Sequence, residues 1–160
     1  MARLSQIKAE LPGTGTLGAE RPGEVPSSGA QNRRMSQPAI VFIVDDDEAA
    51  RDSLMLLLET YGCDVQGFGS TREFLQAYRP RKRQCLILDH HLRGETGLDF
   101  LQSIDGASLR LPVILVSGGG DRLLKERAHN AGVVAYFDKP LEISVLMATI
   151  LNATEQDMSR

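Results

Sequence analysis

Five short apolar segments alternating with five amphipathic ones predict a three-layer, doubly wound α/β sandwich, a (βα)5 chain built on a five-stranded parallel sheet. Three observations carry this. The runs IVFIV (40–44), CLIL (85–88), PVILV (112–116) and VVAYF (133–137) are too short for helices and apolar on both alternations, as strands covered on both faces are. The stretches between them repeat apolar residues at helical spacing. Polar residues able to do chemistry follow the runs, at the strand ends where open sheets of this class bind ligands.

In chain order, IVFIV is the first strand. Leu54, Leu57, Leu58 and Tyr61 then mark one face of a helix that starts at Glu48 and stops at Gly62. DVQGF (64–68), less apolar and interrupted by Gly67, suits an edge strand. A second helix starts from a cap at Ser70 or Thr71, presents Phe74, Leu75 and Tyr78, and ends before Pro80. CLIL is the third strand, and Leu98, Leu101 and Ile104 mark the third helix. PVILV is the fourth strand, followed by a weakly amphipathic helix over 122–131. VVAYF is the fifth, and Ile143, Leu146, Met147, Ile150 and Leu151 define a strongly amphipathic last helix.

The chain has 160 residues, enough for one domain with a substantial core. Residues 1–38 hold five glycines and four prolines and no apolar period, so they read as a disordered N-terminal tail, with Met35 as an alternative natural start. The folded domain is expected over 39–156, with 157–160 as a short C-terminal tail. The tail carries a net charge of +2 and the remainder −5, which argues against a nucleic-acid surface. No stretch resembles a signal peptide or a membrane span, so a cytoplasmic location is expected. Cys63 and Cys85 match no metal-knuckle spacing and read as core thiols.

The segment FIVDDDEAAR (42–51) sets four carboxylates in a row directly after a strand. At about 5 Å and an effective dielectric of about 20, each close pair costs on the order of 3 kcal/mol, so a cation belongs there. Asp45 and Asp46 end strand 1, Asp89 ends strand 3, Ser117 ends strand 4 and Lys139 follows strand 5. Phosphoryl transfer to a carboxylate uses this set. Nucleophile and phosphoryl group are both anionic, so a divalent ion must neutralise the site, and Mg2+ takes hard oxygen ligands. On this reading Asp45 and Asp46 hold Mg2+, Asp89 is the nucleophile, and Ser117 and Lys139 each contact a phosphoryl oxygen.

The chain resembles the receiver domain of bacterial two-component response regulators. The resemblance runs from about Ile40 to Leu151 on VDD, LILDHHLRGETG, ILVSG and YFDKP, in the family's order and spacing. It implies the flavodoxin-like strand order 2-1-3-4-5. It also implies an acidic metal pair at Asp45 and Asp46, a phosphoacceptor at Asp89, a switch hydroxyl at Ser117 and a switch aromatic at Tyr136. Lys139 matches the family's lysine, with Pro140 across a cis peptide bond, and His91 falls where a main-chain carbonyl joins Asp45, Asp46 and Asp89 around Mg2+. The implied donor is a sensor histidine kinase or phosphotransfer protein, with small phosphodonors as substitutes. Activity is then self-catalysed phosphoryl acceptance, and the phosphorylated face of helix 4, strand 5 and helix 5 contacts a protein target.

Two departures stand out: Arg93 where the family has proline, which leaves the rigidity of that loop open, and Leu141 where it often has phenylalanine. Side-chain metal ligation by His90 or His91 is disfavoured, since adjacent residues at a strand end point different ways. SGGGD (117–121) reads as a flexible loop that lets Ser117 move, and RPRKR (79–83) as a solvated turn. The residues after Leu151 are too few for a DNA-binding domain, so no direct nucleic-acid contact is expected. Two rival readings remain: a haloacid-dehalogenase-type phosphatase, for which Ala49 breaks the pattern begun by Asp45 and Asp47, and a receiver fold that binds partners without phosphorylation.

Overall fold

The computed structural model describes residues 37–104 and 109–157. The expected tails, 1–38 and 157–160, lie outside these residues except for exposed Gln37 and Pro38 and the helical end at Asp157. The elements follow in order as β1 (Ile40–Val44), α1 (Glu48–Thr60), β2 (Asp64–Phe68), α2 (Thr71–Ala77), β3 (Gln84–Asp89), α3 (Gly97–Ser103), β4 (Val113–Ser117), α4 (Arg122–Asn130), β5 (Ala135–Asp138) and α5 (Ile143–Asp157). All four strand pairings are parallel, in the order β2-β1-β3-β4-β5. This is the predicted sandwich.

Two-residue alternation sorts the strands into two cores. Val41 and Ile43 of β1, Cys85 and Ile87 of β3, and Ile114 and Val116 of β4 pack with Leu58 of α1 and Leu146 and Ile150 of α5. The intervening Phe42, Val44, Leu86, Leu88, Val113 and Leu115 pack with Phe74 and Tyr78, Leu98 and Phe100, and Ala128 of the opposite helices. That is why the runs are apolar on both alternations. Each fully buried Leu, Ile or Phe contributes about 1.5–3 kcal/mol by leaving water. Cys85 is fully buried in the first core, and that burial, followed by the nearby Cys63, pushes its thiol up to about 12.

Side-chain caps start four of the helices. Asp47 accepts the Ala50 N–H (3.1 Å), Ser70 that of Glu73 (3.2 Å), and Asp121 that of Leu124 (2.8 Å). Thr96 and Asp99 form a reciprocal capping box on α3. Of the two caps open for α2, Ser70 is used.

Four expectations are corrected. β5 begins at Ala135 rather than Val133, and none of its residues is fully buried, because it is the second edge of the sheet with a neighbour on one side only. Tyr61 caps the C-terminus of α1 and is exposed, one turn beyond the inward Leu54 and Leu58. Leu75 and Leu151 point outward, each displaced about 100° from a buried neighbour, Phe74 and Ile150, around its helix. In α3 the fully buried residues include Phe100, while Leu101 and Ile104 are only partly covered.

Candidate functional site

Strand register brings the sequence-predicted acids together. Asp45 follows β1 in the alternation of Val41 and Ile43, and Asp89 ends β3 in the alternation of Cys85 and Ile87. Because β1 and β3 are adjacent and parallel, the two carboxylates meet beyond the same edge. One ligand oxygen from each of Asp45, Asp46 and Asp89 lies within 4.8 Å of the others. No other trio of His, Cys, Asp or Glu does so among the described residues, and neither His90 nor His91 joins this one.

Each acid is held differently. Arg51 of α1 donates Nη1–H to the Asp45 main-chain oxygen (2.8 Å), and Asp45 Oδ1 accepts the Asp47 N–H (2.9 Å). Asp45 Oδ2 faces Lys139 Nζ at 3.3 Å. Asp46 Oδ2 accepts the Arg93 main-chain N–H (3.1 Å) and faces Arg93 Nε at 3.4 Å. The DDDE row is therefore divided: Asp47 is used on the cap of α1, and Asp45 and Asp46 meet cations brought from far along the chain.

Asp89 is 6% exposed, and its Oδ1 makes no hydrogen bond, though Lys139 Nζ stands 3.6 Å away. Burial raises the Asp89 carboxyl above its ordinary value; Lys139 pulls it back, and the Asp45 charge pushes it up again. The His91 main-chain N–H also donates to this carboxylate. Lys139 precedes Pro140 across a cis peptide bond. Behind the acids, a cleft of about 400 Å3 opens between α1 and the chain after β5, walled by Leu54, Leu57, Pro140 and Leu141.

Ser117 and Tyr136 lie in the other alternation, with Leu115. Ser117 is fully buried; its Oγ accepts the Gly119 N–H (3.4 Å) and lies 3.5 Å from His91 Nδ1. The Tyr136 hydroxyl donates to Asp138 Oδ1 (3.0 Å). His91 pairs its main chain with Thr96 across the loop. Sequence reasoning missed three contributors. Arg93 touches the site through Asp46, and Arg51 positions Asp45. Gly97 packs so closely that a Cβ there would sit 2.7 Å from the Asp89 carbonyl oxygen.

The site fits Mg2+: three carboxylates converge, and one buried oxygen, Asp89 Oδ1, lacks a hydrogen-bond donor. The family model for the response regulator receiver domain matches residues 41–151. The chain belongs to this family. Nodulation protein W of Bradyrhizobium diazoefficiens is 38% identical over 125 residues, covering 78% of this chain and 55% of its own. The transcriptional regulatory protein FixJ of Azorhizobium caulinodans is 32% identical over 116 residues, covering 72% and 55%. The crystal structure of FixJ-N superposes with a TM-score of 0.67 at 30% identity, covering 74% of this chain and 95% of that one. The chain spans about half the length of the curated relatives it matches. Receiver domains generally bind Mg2+ at an acidic pocket and belong to signalling rather than to a class of enzymes, and this chain brings Asp45, Asp46 and Asp89 together. No described helix of the receiver is long and apolar enough to cross a membrane.

Proposed function

We propose that residues 39–156 act as a phosphoryl-accepting switch, with Asp89 as the acceptor. The observation that carries the reading is the lone Asp89 Oδ1, buried without a hydrogen bond, 3.6 Å from an ammonium that also faces Asp45 at 3.3 Å. A carboxylate so placed is desolvated, oriented and free to react.

Asp45, Asp46, Asp89 and the His91 main-chain carbonyl would hold Mg2+, which would supply positive charge against the anionic phosphoryl oxygens. The donor is a phosphohistidine on a histidine kinase or phosphotransfer protein, reaching Asp89 beside the apolar-walled cleft. A carboxylate oxygen of Asp89 attacks phosphorus and the donor P–N bond breaks. The departing imidazole keeps that electron pair and takes up a proton. Lys139 Nζ then pairs with one phosphoryl oxygen, and the Ser117 hydroxyl donates to another.

Nearly two new negative charges beside Lys139 draw Ser117 inward, and Tyr136 follows into the vacated space. The face of α4, β5 and α5 changes and is read by a protein target; direct contact with nucleic acid has no part in this reading. Acetyl phosphate with Mg2+, read by intact mass, tests it. Wild type gains a phosphoryl group, and Asp89→Asn or a chelator abolishes the gain; equal labelling of Asp89→Asn overturns the assignment.

A further inference from the structure

The Tyr136 ring is more than loosely placed, and the residues that hold it are not those that handle phosphate. Its hydroxyl donates to Asp138 Oδ1 (3.0 Å), and Lys125 of α4 donates to Asp138 Oδ2 (2.8 Å). Lys125 Nζ also stands 5.3 Å from the centre of the Tyr136 ring, within cation–π range. The Gly120 main-chain N–H is a further donor to Asp138. The ring itself fits only because residue 120 is glycine: a Cβ there would coincide with the Tyr136 hydroxyl and lie 2.5 Å from Cζ. Gly120 does not have a positive φ, so what stands against a side chain there is the Tyr136 ring first and then Asp138 Oδ1, 3.0 Å from such a Cβ.

We propose that Asp138, clamped by Lys125, is a positioning residue that holds Tyr136 in its seat against Gly120 and so sets the phosphoryl occupancy at which the α4–β5 face switches. The inference rests on the phosphoswitch reading above and adds to it a clasp that never touches phosphate. β5 is an edge strand with only four residues, so side-chain ties to α4 hold that face where ladder hydrogen bonds cannot. Charge supports the geometry: Lys125 lies above its ordinary value chiefly through its hydrogen bond to Asp138, and Asp138 below its own chiefly through Lys125. Ser117 bears on the same Tyr136 hydroxyl, which links the clasp to the residue that senses the phosphoryl group. A ring held from both sides leaves only when the pull on Ser117 outweighs the clasp.

The test uses the full chain with 13C-labelled tyrosine rings, beryllofluoride and Mg2+. The chain has only three tyrosines, and Tyr61 and Tyr78 serve as internal controls. In Asp138→Ala and Lys125→Met the Tyr136 ring signals of the free protein move toward their beryllofluoride-saturated positions. The beryllofluoride midpoint falls about two- to fivefold, the scale of one exposed ion pair. Gly120→Ala moves the free-protein ring signals furthest. Asp138→Asn, which keeps an acceptor for the tyrosine but loses the charge, falls between wild type and Asp138→Ala. A responsive wild type whose variants share its free-protein signals and its midpoint sinks the clasp alone. A wild type whose Tyr136 ring ignores beryllofluoride sinks the phosphoswitch reading and this inference with it.

Discussion

Lys139 Nζ stands 3.6 Å from Asp89 Oδ1, close enough to attract the carboxylate yet too far to satisfy it with a hydrogen bond. Burial therefore prevails over the ammonium, and the Asp89 carboxyl sits above its unfolded value. An acid raised on folding opposes folding once ionised: its contribution is fully present below the unfolded value and lost as pH rises through the folded one. Asp89→Asn, free of that charge, is expected to be more stable than wild type at neutral pH in chelator. The gap closes as pH falls through the raised value toward 3.8. Urea unfolding of both proteins from pH 3 to 8 measures it, and a constant or inverted gap contradicts the account.

The Arg93 N–H and guanidinium both face Asp46 Oδ2. A Mg2+ ion held at the proposed site would compete for Asp46 with a cation already present. The guanidinium is 90% exposed, so its hold is modest. Arg93→Ala is expected to tighten Mg2+ binding about two- to threefold at low salt, with the difference shrinking as added salt screens the exposed charge. Amide shifts during a Mg2+ titration give both constants; weaker binding in the variant would refute the competition.

How much of this was readable in advance follows from how local each signal is. The cores were legible because Val41 and Phe42, or Ile87 and Leu88, each face a covered side, so strand runs are apolar throughout. Asp45, Asp46, Asp89 and Lys139 were legible because parallel strands bring their ends to one edge whatever the loops do. The outward turn of Leu75 and Leu151 was not, since neighbouring apolar residues satisfy a helical period about equally well. Nor were the roles of Arg93 and Arg51. The first meets an acid 47 residues away through a loop, and the second acts through a main-chain oxygen, which leaves no trace in residue type.

Gly97 illustrates a constraint of the same hidden kind. A Cβ there would meet the Asp89 carbonyl oxygen at 2.7 Å, Leu115 Cδ1 at 3.0 Å and the His90 Cα at 3.2 Å. Two of the three are main-chain atoms and cannot swing aside. Gly97→Ala is expected to cost about 1–3 kcal/mol, as overpacking does, and to slow acetyl phosphate labelling by displacing Asp89. Urea unfolding and the labelling rate should fall together. Full stability with slow labelling would place the strain elsewhere.

The basic turn RPRKR is shaped by a side chain the site never uses. Gln84 is 2% exposed; its Nε2 donates to the Arg79 carbonyl (2.9 Å) and its Oε1 accepts the Arg81 N–H (2.8 Å). Arg79 in turn donates to the Gln76 and Tyr78 carbonyls (2.9 and 2.7 Å), and Arg83 adopts a φ of 63°, costly for a side chain with a Cβ. A strained turn persists only while its supports do. Gln84→Leu fills the same space but leaves those two main-chain groups without their partner, at a cost of about 1–3 kcal/mol. Released from the pin, residues 79–83 should be cut faster by trypsin, which needs an extended segment carrying Arg or Lys. The carboxylate cluster lies at the other end of β3, so acetyl phosphate labelling of Asp89 should stay within about twofold of wild type. Tryptic cleavage at an unchanged rate would show that the strand, not Gln84, holds the turn.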